Sequence, residues 1–522
     1  MLRINFRHFS YGLVYTLLLG GMVHAGPLYA AGYDGSLIEA VRFTLERQSS
    51  IAISKQQVLA GEGQVLSAQG DFDQTLYAGI NFQHTKTPVT GIAGPASIFE
   101  IASDATTYQA GLTQKLRSGI TVNPALTVVR TRDNYLNTTS PSSANVALNF
   151  TLPLQKGKGE EVTTAYEKAA LLNREAALQS QTHAISSAIT RTVVAYWDYL
   201  AAKQSLDIIC TAEERAKELF DDAKKIIHGN EKSSGDVKKH ETKLLNQVGD
   251  RLAAEQALVE ARSSLGLAMG LSGSEIALIA APRDSFRLID MTDLNSIRVH
   301  NLAAKLAAMI QNRRSDVLSI DSRLHAAQAL LLAATDMQKP QLDLVLGVGY
   351  NGLTQYRQDP SALTALSNNI GGVNAFAGVN YSWPVNNRVA QGLVMQRSAE
   401  VDRLQLEKQA LMDGIMSSIE VKLSGVRRAA EQLKHARAEA DIQREVYENE
   451  KKKYSAKLAT SLDLFTNEVQ LTEAQLSELN ALRNLAQALI RVRFETGTLL
   501  DQSTQTQTFD NSRLVTMPEN VF

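Results

Sequence analysis

Two long stretches of this chain carry apolar residues at steps of three and four, and six shorter ones alternate apolar with polar. In the first long stretch Ile185, Ile189, Val193, Tyr196 and Leu200 are followed by Ala212, Ala216, Leu219, Ala223 and Ile226. The second contributes Leu479, Leu482, Ala486 and Leu489. This is coiled-coil spacing. It predicts helices over about 158–228, 235–268, 388–455 and 461–497. Proline placement agrees: none of the eleven prolines falls in 154–281 or 385–517, and a proline inside a helix removes a hydrogen bond and clashes with the preceding turn. A helix over 158–227 is on the order of 105 Å long at 1.5 Å per residue, more than an ordinary globular domain needs.

The period-two runs predict strands over about 75–84, 106–116, 119–131, 145–153, 341–351 and 372–384. Leu76, Ala78, Ile80 and Phe82 are separated by Tyr77, Gly79 and Asn81; Leu342, Leu344, Leu346, Val348 and Tyr350 repeat the pattern. Each run is about nine to twelve residues, the length a tilted strand needs to cross a bilayer. A half-buried strand of a soluble sheet alternates in the same way. Aromatic ends, glycine-rich polar loops and an export signal favour the membrane.

That signal is the N-terminus. Arg3, Arg7 and His8 precede the apolar run Tyr11 to Val23, and small residues follow. Residues 1–25 read as a signal peptide, with cleavage after 25 or as late as 30. No later stretch approaches eighteen consecutive apolar residues, so the expectation is an exported protein with no transmembrane helix. No cysteine lies near the cleavage site, so no lipid anchor is expected. The single cysteine, Cys210, excludes an intramolecular disulfide framework and a multi-cysteine metal site. A formal net charge of -1 with 20% charged residues offers no basic surface for nucleic acid.

The two halves of the chain match. Ser233, Asp236 and Glu241 align with Thr460, Asp463 and Glu468 at a constant offset of 227, and the same offset pairs Leu244 with Leu471 and Gly270 with Gly497. Ala68 and Leu76 align with Ala334 and Leu342 at an offset of 266. The first half is therefore the longer, by the difference between the two offsets. The corners at Pro153 and Pro384 stand at an offset of 231, so nearly all of the excess precedes them. An extra hairpin around the Arg117-Ser118-Gly119 turn accounts for it. The plan is a first repeat over 36–270, a linker over 271–293, a second repeat over 294–500 and a C-terminal tail over 501–522. Each repeat reads helix, strand, strand, long helix, tip, helix.

On this duplicated frame the local patterns become informative together: Ala195-Tyr196-Trp197-Asp198-Tyr199-Leu200, the strand end Thr151-Leu152-Pro153-Leu154, and Tyr454 followed by Thr460-Ser461-Leu462-Asp463-Leu464. The chain resembles the TolC-like family of outer-membrane efflux proteins. The fold this implies is mainly α with membrane β: a long α-helical coiled-coil barrel continuous with a transmembrane β-barrel. The resemblance further implies a homotrimer in the outer membrane of a Gram-negative bacterium, surrounded by outer-membrane lipid. It implies as partners a periplasmic adaptor (membrane fusion) protein and an inner-membrane pump, serving efflux of small molecules or secretion of polypeptides. Elementary physics points the same way, since four to six strands cannot close a barrel and open sheet edges are not tolerated in lipid. Members of the family have four strands per protomer, whereas this sequence offers six. Either the barrel is larger or the extra hairpin lies outside the membrane.

Asp236 and Asp463 occupy equivalent tip positions. Ser233-x-x-Asp236 and Thr460-x-x-Asp463 both fit helix caps, and Ser36 with Glu39 fits another. The resemblance also carries the family's constricting mouth onto Asp463, where threefold repetition makes a cation-selective ring; capping and gating both stand. No catalytic, cofactor-binding or metal-ligating pattern is found. His240-Glu241 is followed by Leu244 rather than histidine, and Gly157-Lys158-Gly159 lacks the spacing of a phosphate loop. The expectation is a conduit and not an enzyme. The alternative, a structural or adhesive protein with a barrel anchor and coiled-coil stalk, has no need of an equivalent second half.

Overall fold

The chain is seen in a computed structural model that describes residues 33–90, 98–134, 142–227, 234–286, 310, 313–354, 365–367 and 371–500. The expected signal peptide, the expected tail over 501–522, residues 287–293 of the expected linker, and Ser233 lie outside these residues.

Helices α1 (Leu37–Arg47) and α2 (Ser49–Gln69) lead into strands β1 (Thr75–Thr90), β2 (Ile98–Lys115), β3 (Thr121–Asp133) and β4 (Ser142–Pro153). A single helical turn, Glu160–Thr163, then precedes α3 (Ala165–Ile227), and α4 (Ser234–Ala268) returns. The second repeat supplies α5 (Ser315–Asp336), β5 (Gln341–Thr354), β6 (Gly371–Ser382), α6 (Arg388–Ser455) and α7 (Ser461–Glu495). α3 has 63 residues with no glycine or proline, and α6 has 68 with no proline; at 1.5 Å per residue they are about 95 and 100 Å long.

The repeat extends to the backbone. α4 and α7 end at Gly270 and Gly497, with φ of +78° and +66°. Leu271 N–H donates to the Gly266 carbonyl and Thr498 N–H to the Arg493 carbonyl, the left-handed cap that glycine adopts without strain. A Cβ at Gly270 would meet the Arg47 carbonyl at 2.8 Å, and one at Gly497 the Arg313 carbonyl at 2.9 Å. Arg47 and Arg313 are themselves related by the larger repeat offset. Both glycines are therefore required twice over, by conformation and by close approach.

Near the sheet, α2 packs on α3, α3 on α5 and α5 on α6. Towards the tip, the order is α4, α3, α7, α6. The core lies where these layers exchange, around Tyr196, Trp197, Leu265, Met269, Leu485 and Ile490, all essentially inaccessible to solvent.

All six strands form one antiparallel meander in the order β1-β2-β3-β4-β5-β6. The register produces two opposed faces. Ala78, Ala110, Leu126, Val146, Tyr350 and Val373 form one cross-strand row, and the next row is Gly79, Gln109, Thr127, Asn145, Asn351 and Gly372. Since successive side chains point to opposite faces, one face is apolar and the other is mainly amides, hydroxyls and glycine, interrupted by Val129, Val345 and Phe376. The apolar face is widely exposed on the edge strands, Leu76 being 79% exposed, Ile80 74% and Val373 77%, while in the middle of the sheet Val128 and Ala144 are buried against Ala365, with Leu126 and Leu366 packed beside them. The strands outrun the alternating stretches because pairing continues into charged positions, His84 with Asp104 at 2.7 Å and Lys86 with Glu100 at 3.2 Å.

The extra hairpin is β2–β3. Its ladder passes Pro124, which has no N–H to offer. Asn123 compensates, its Nδ2 donating to the Leu112 carbonyl at 3.0 Å and to Thr113 Oγ1 at 2.9 Å. The turn sits against the start of α3, where Arg117 donates to both oxygens of Glu167 at 2.9 and 2.8 Å, with its guanidinium 4.9 Å from the Phe72 ring centre.

Candidate functional site

The end of the helices far from the sheet carries Thr460 and Asp463, while Ser36 stands apart at the start of α1. α7 opens at Thr460, in extended conformation. Thr460 Oγ1 accepts from Asp463 N–H at 3.2 Å, while Asp463 Oδ2 accepts from Thr460 N–H at 3.1 Å and from its hydroxyl at 2.6 Å. Two otherwise unpaired donors are thus satisfied reciprocally. Asp463 is exposed, and the Thr460 hydrogen bonds hold its carboxyl below the usual carboxylate range. Asp236 is the third residue of α4, and its side chain lies outside the described set. Ser36 caps α1, its hydroxyl accepting from Glu39 N–H at 3.3 Å. The Glu39 carboxylate accepts from Asp34 N–H rather than reaching back to Ser36, whose own N–H donates to Asp34 Oδ1 at 2.8 Å.

Below the cap, four helices converge on a second small core of Ala216, Leu219, Tyr447, Leu464, Phe465 and Leu471. Glu468 of α7 lies inside it, only 2% exposed. Arg215 of α3 donates to both its oxygens at 3.0 and 3.2 Å and lies 5.3 Å from the Tyr447 ring centre. Burial nevertheless pushes the Glu468 carboxyl up, with Arg215 opposing. Burial, with Glu468 close by, raises Tyr447 to about 12. From α4, His240 Nε2 lies 2.9 Å from Ser461 Oγ, and Lys243 Nζ sits 3.9 Å from the Phe465 ring centre. Burial pushes Lys243 down, helped by Lys239.

Sequence reasoning did not single out this cross-helix lock. Glu468 was visible only as the repeat partner of Glu241, which is exposed. The signal available was an asymmetry: the repeat partner of Arg215 is Ile442, so one half has a cation for its glutamate and the other does not. The aromatic motif of α3 serves the core instead. The Tyr196 hydroxyl lies 2.9 Å from the Gly35 carbonyl and 2.7 Å from Asp284 Oδ2, and burial followed by Asp284 pushes it up. Trp197 stacks on Phe286 at 5.2 Å. These contacts hold the chain's start and the inter-repeat segment against the long helix.

Among the described residues no cluster of three or more histidine, cysteine or acidic side chains could hold a metal. No helix among them is long and apolar enough to cross a membrane.

Solved structures supply the comparison. The outer-membrane channel OprN superposes with a TM-score of 0.62 at 14% identity, over 88% of this chain and 90% of its own. The chain has the fold of a TolC-like outer-membrane channel. The Campylobacter jejuni CmeC channel gives 0.62 at 13% identity, over 90% and 87% of the two chains. The open state of the Neisseria gonorrhoeae MtrE channel gives 0.59 at 13%, over 89% of each. No family model and no curated protein sequence matches the chain. The TolC-like fold therefore persists here on the two hydrophobic periods and the duplication, with little identity to support it. On it, the cap at Thr460 and the Arg215–Glu468 lock both stand at the helix tip, remote from the sheet.

Proposed function

We propose that the chain is one protomer of a homotrimeric outer-membrane channel, an exit duct for small-molecule efflux or polypeptide secretion. A periplasmic adaptor protein would couple it to an inner-membrane pump. The observation that carries this reading is the two-faced sheet. An apolar row that runs through every strand and is widely exposed on β1 and β6 is costly in water, and the opposite polar face suits an aqueous lumen. Among the described residues β1 and β6 are each paired on one side only, and unpaired edges in lipid demand closure by further strands. Helices of about 100 Å rising from such a sheet have the length of a periplasmic duct.

The duplication supports assembly with further copies of the same chain. On α7, Thr472, Leu479 and Ala486 are buried at steps of seven. Their repeat equivalents on α4 are Leu245, Leu252 and Val259, and these are 64%, 54% and 48% exposed. On α6, Ile442 and Val446 stand where α3 has Arg215 and Leu219, both in contact with α7; they are 61% and 39% exposed. A neighbouring copy laying its α4 on this chain's α6 would repeat the α7-on-α3 contact. Asp463 then becomes the candidate gate, repeated around the axis.

Membrane fractionation followed by crosslinking tests the reading. The expected result is a detergent-stable trimer in the outer membrane; a soluble periplasmic monomer would sink it.

A further inference from the structure

The inserted hairpin shares both faces of the sheet. On β2 and β3, Ala110 and Leu126 continue the apolar row, and Gln109 and Thr127 the polar row, without a break in register between β1 and β4. A hairpin held outside the membrane has no need of an apolar stripe in register with its neighbours. We propose that β2–β3 is part of the lipid-embedded wall, so that three copies close an eighteen-stranded barrel with an exit as wide as the helical duct beneath it. This rests on the trimeric channel reading above.

Size is consistent with it. Near the sheet each copy contributes four neighbouring helices, α2, α3, α5 and α6, and only four chain crossings join helices to strands. Twelve helix axes at 8–10 Å spacing make a ring about 31–38 Å across. Twelve strands about 4.8 Å apart and tilted about 40° close at roughly 24 Å across, whereas eighteen close at roughly 36 Å. The inserted hairpin brings the barrel to the diameter of the helical ring. Its periplasmic turn fits this place: Arg117 is fixed to Glu167 on α3, which seats the hairpin on the ring where no helix continues it. The row of Gln109, Thr127, Asn145 and Asn351 is uncharged, and the charges on this face, Lys115, Asp133 and Asp343, lie towards the strand ends. The outer-membrane segment would then not narrow the path, leaving size selection to the helix tip.

Single cysteines in a Cys210→Ala background test this on the full-length protein in intact outer membranes. Gln109→Cys and Thr127→Cys should react with a water-soluble maleimide at least about tenfold faster than Ala110→Cys and Leu126→Cys, as lumen and lipid faces alternate. Val345→Cys and Asn380→Cys against Leu344→Cys and Val379→Cys are the reference strands. If the references alternate while all four hairpin positions react alike, the hairpin lies outside the wall and the proposal is overturned, though the channel reading survives. If the references fail to alternate, the channel reading fails and takes the proposal with it. Polymer exclusion from the outer side of planar bilayers gives a second measure. A cut-off matching a twelve-stranded barrel would also overturn the proposal.

Discussion

Asp463 has two roles available, and they separate by substitution. Asparagine is a good N-cap residue, so Asp463→Asn should change helix stability by no more than about 1 kcal/mol. If the residue also gates, single-channel conductance should rise or cation selectivity fall, and block by polyvalent cations should weaken. Thr460→Ala removes the cap and leaves the charge, so it should cost stability with little effect on selectivity. Unchanged conductance, selectivity and block in Asp463→Asn would make the aspartate a cap alone. The pH dependence has a definite sign. The folded-state carboxyl is held low by Thr460, so its stabilisation is present above the ordinary aspartate range and is lost as pH falls through the lowered value. Protection of the first amides of α7, measured as hydrogen exchange relative to the intrinsic rate at each pH, should fall on acidification in the native chain and much less in Asp463→Asn. A second residue carries the hairpin. Asn123→Ala leaves the Leu112 carbonyl without the donor that replaces the missing N–H of Pro124, which should cost about 1–3 kcal/mol. Faster exchange confined to β2 and β3 is the expected readout.

Between elements, the tip depends on one asymmetric ion pair. Arg215 is a third exposed, but Glu468 is not, so Arg215→Ala strands a buried carboxylate and should destabilise the fold by about 3 kcal/mol. Glu468→Gln in that background should recover most of the loss, measured as the thermal unfolding midpoint in detergent. In Arg215→Ala the carboxyl lies still higher than in the native chain. Because its folded-state value is raised, stability should increase as pH falls toward the ordinary glutamate range and fall as pH rises through the raised value. A melting temperature independent of pH would contradict this. The helix types were legible in the sequence because a period of three and four follows from backbone geometry alone. The break before α3 was less so: Gly159 at φ +95° and the turn at Thr164 delay the helix beyond the expected 158.

For the proposed trimer, the exposed stripe of α4 is the surface to test. Leu252→Lys places a charge where the repeat expects a buried leucine, and it should abolish the crosslinked trimer. Ala257→Lys is the control, because its equivalent on α7, Asn484, is exposed. Equal loss in both variants would point to misfolding of α4 rather than to an interface. The sequence by itself determined the fold class: two hydrophobic periods set the element types, proline set the corners, and the offsets 227 and 266 set the duplication. Each of these is a local property, expressed through the direction in which successive Cβ atoms point. Only the tertiary structure decided that Glu468 and not Glu241 is buried, that Asn123 stands in for a proline's N–H, and that the inserted hairpin joins the same sheet with the same apolar face. Those outcomes depend on partners far apart in the chain, 253 residues for Arg215 and Glu468, and no periodicity records which of two equivalent positions will meet a neighbour and which will face solvent.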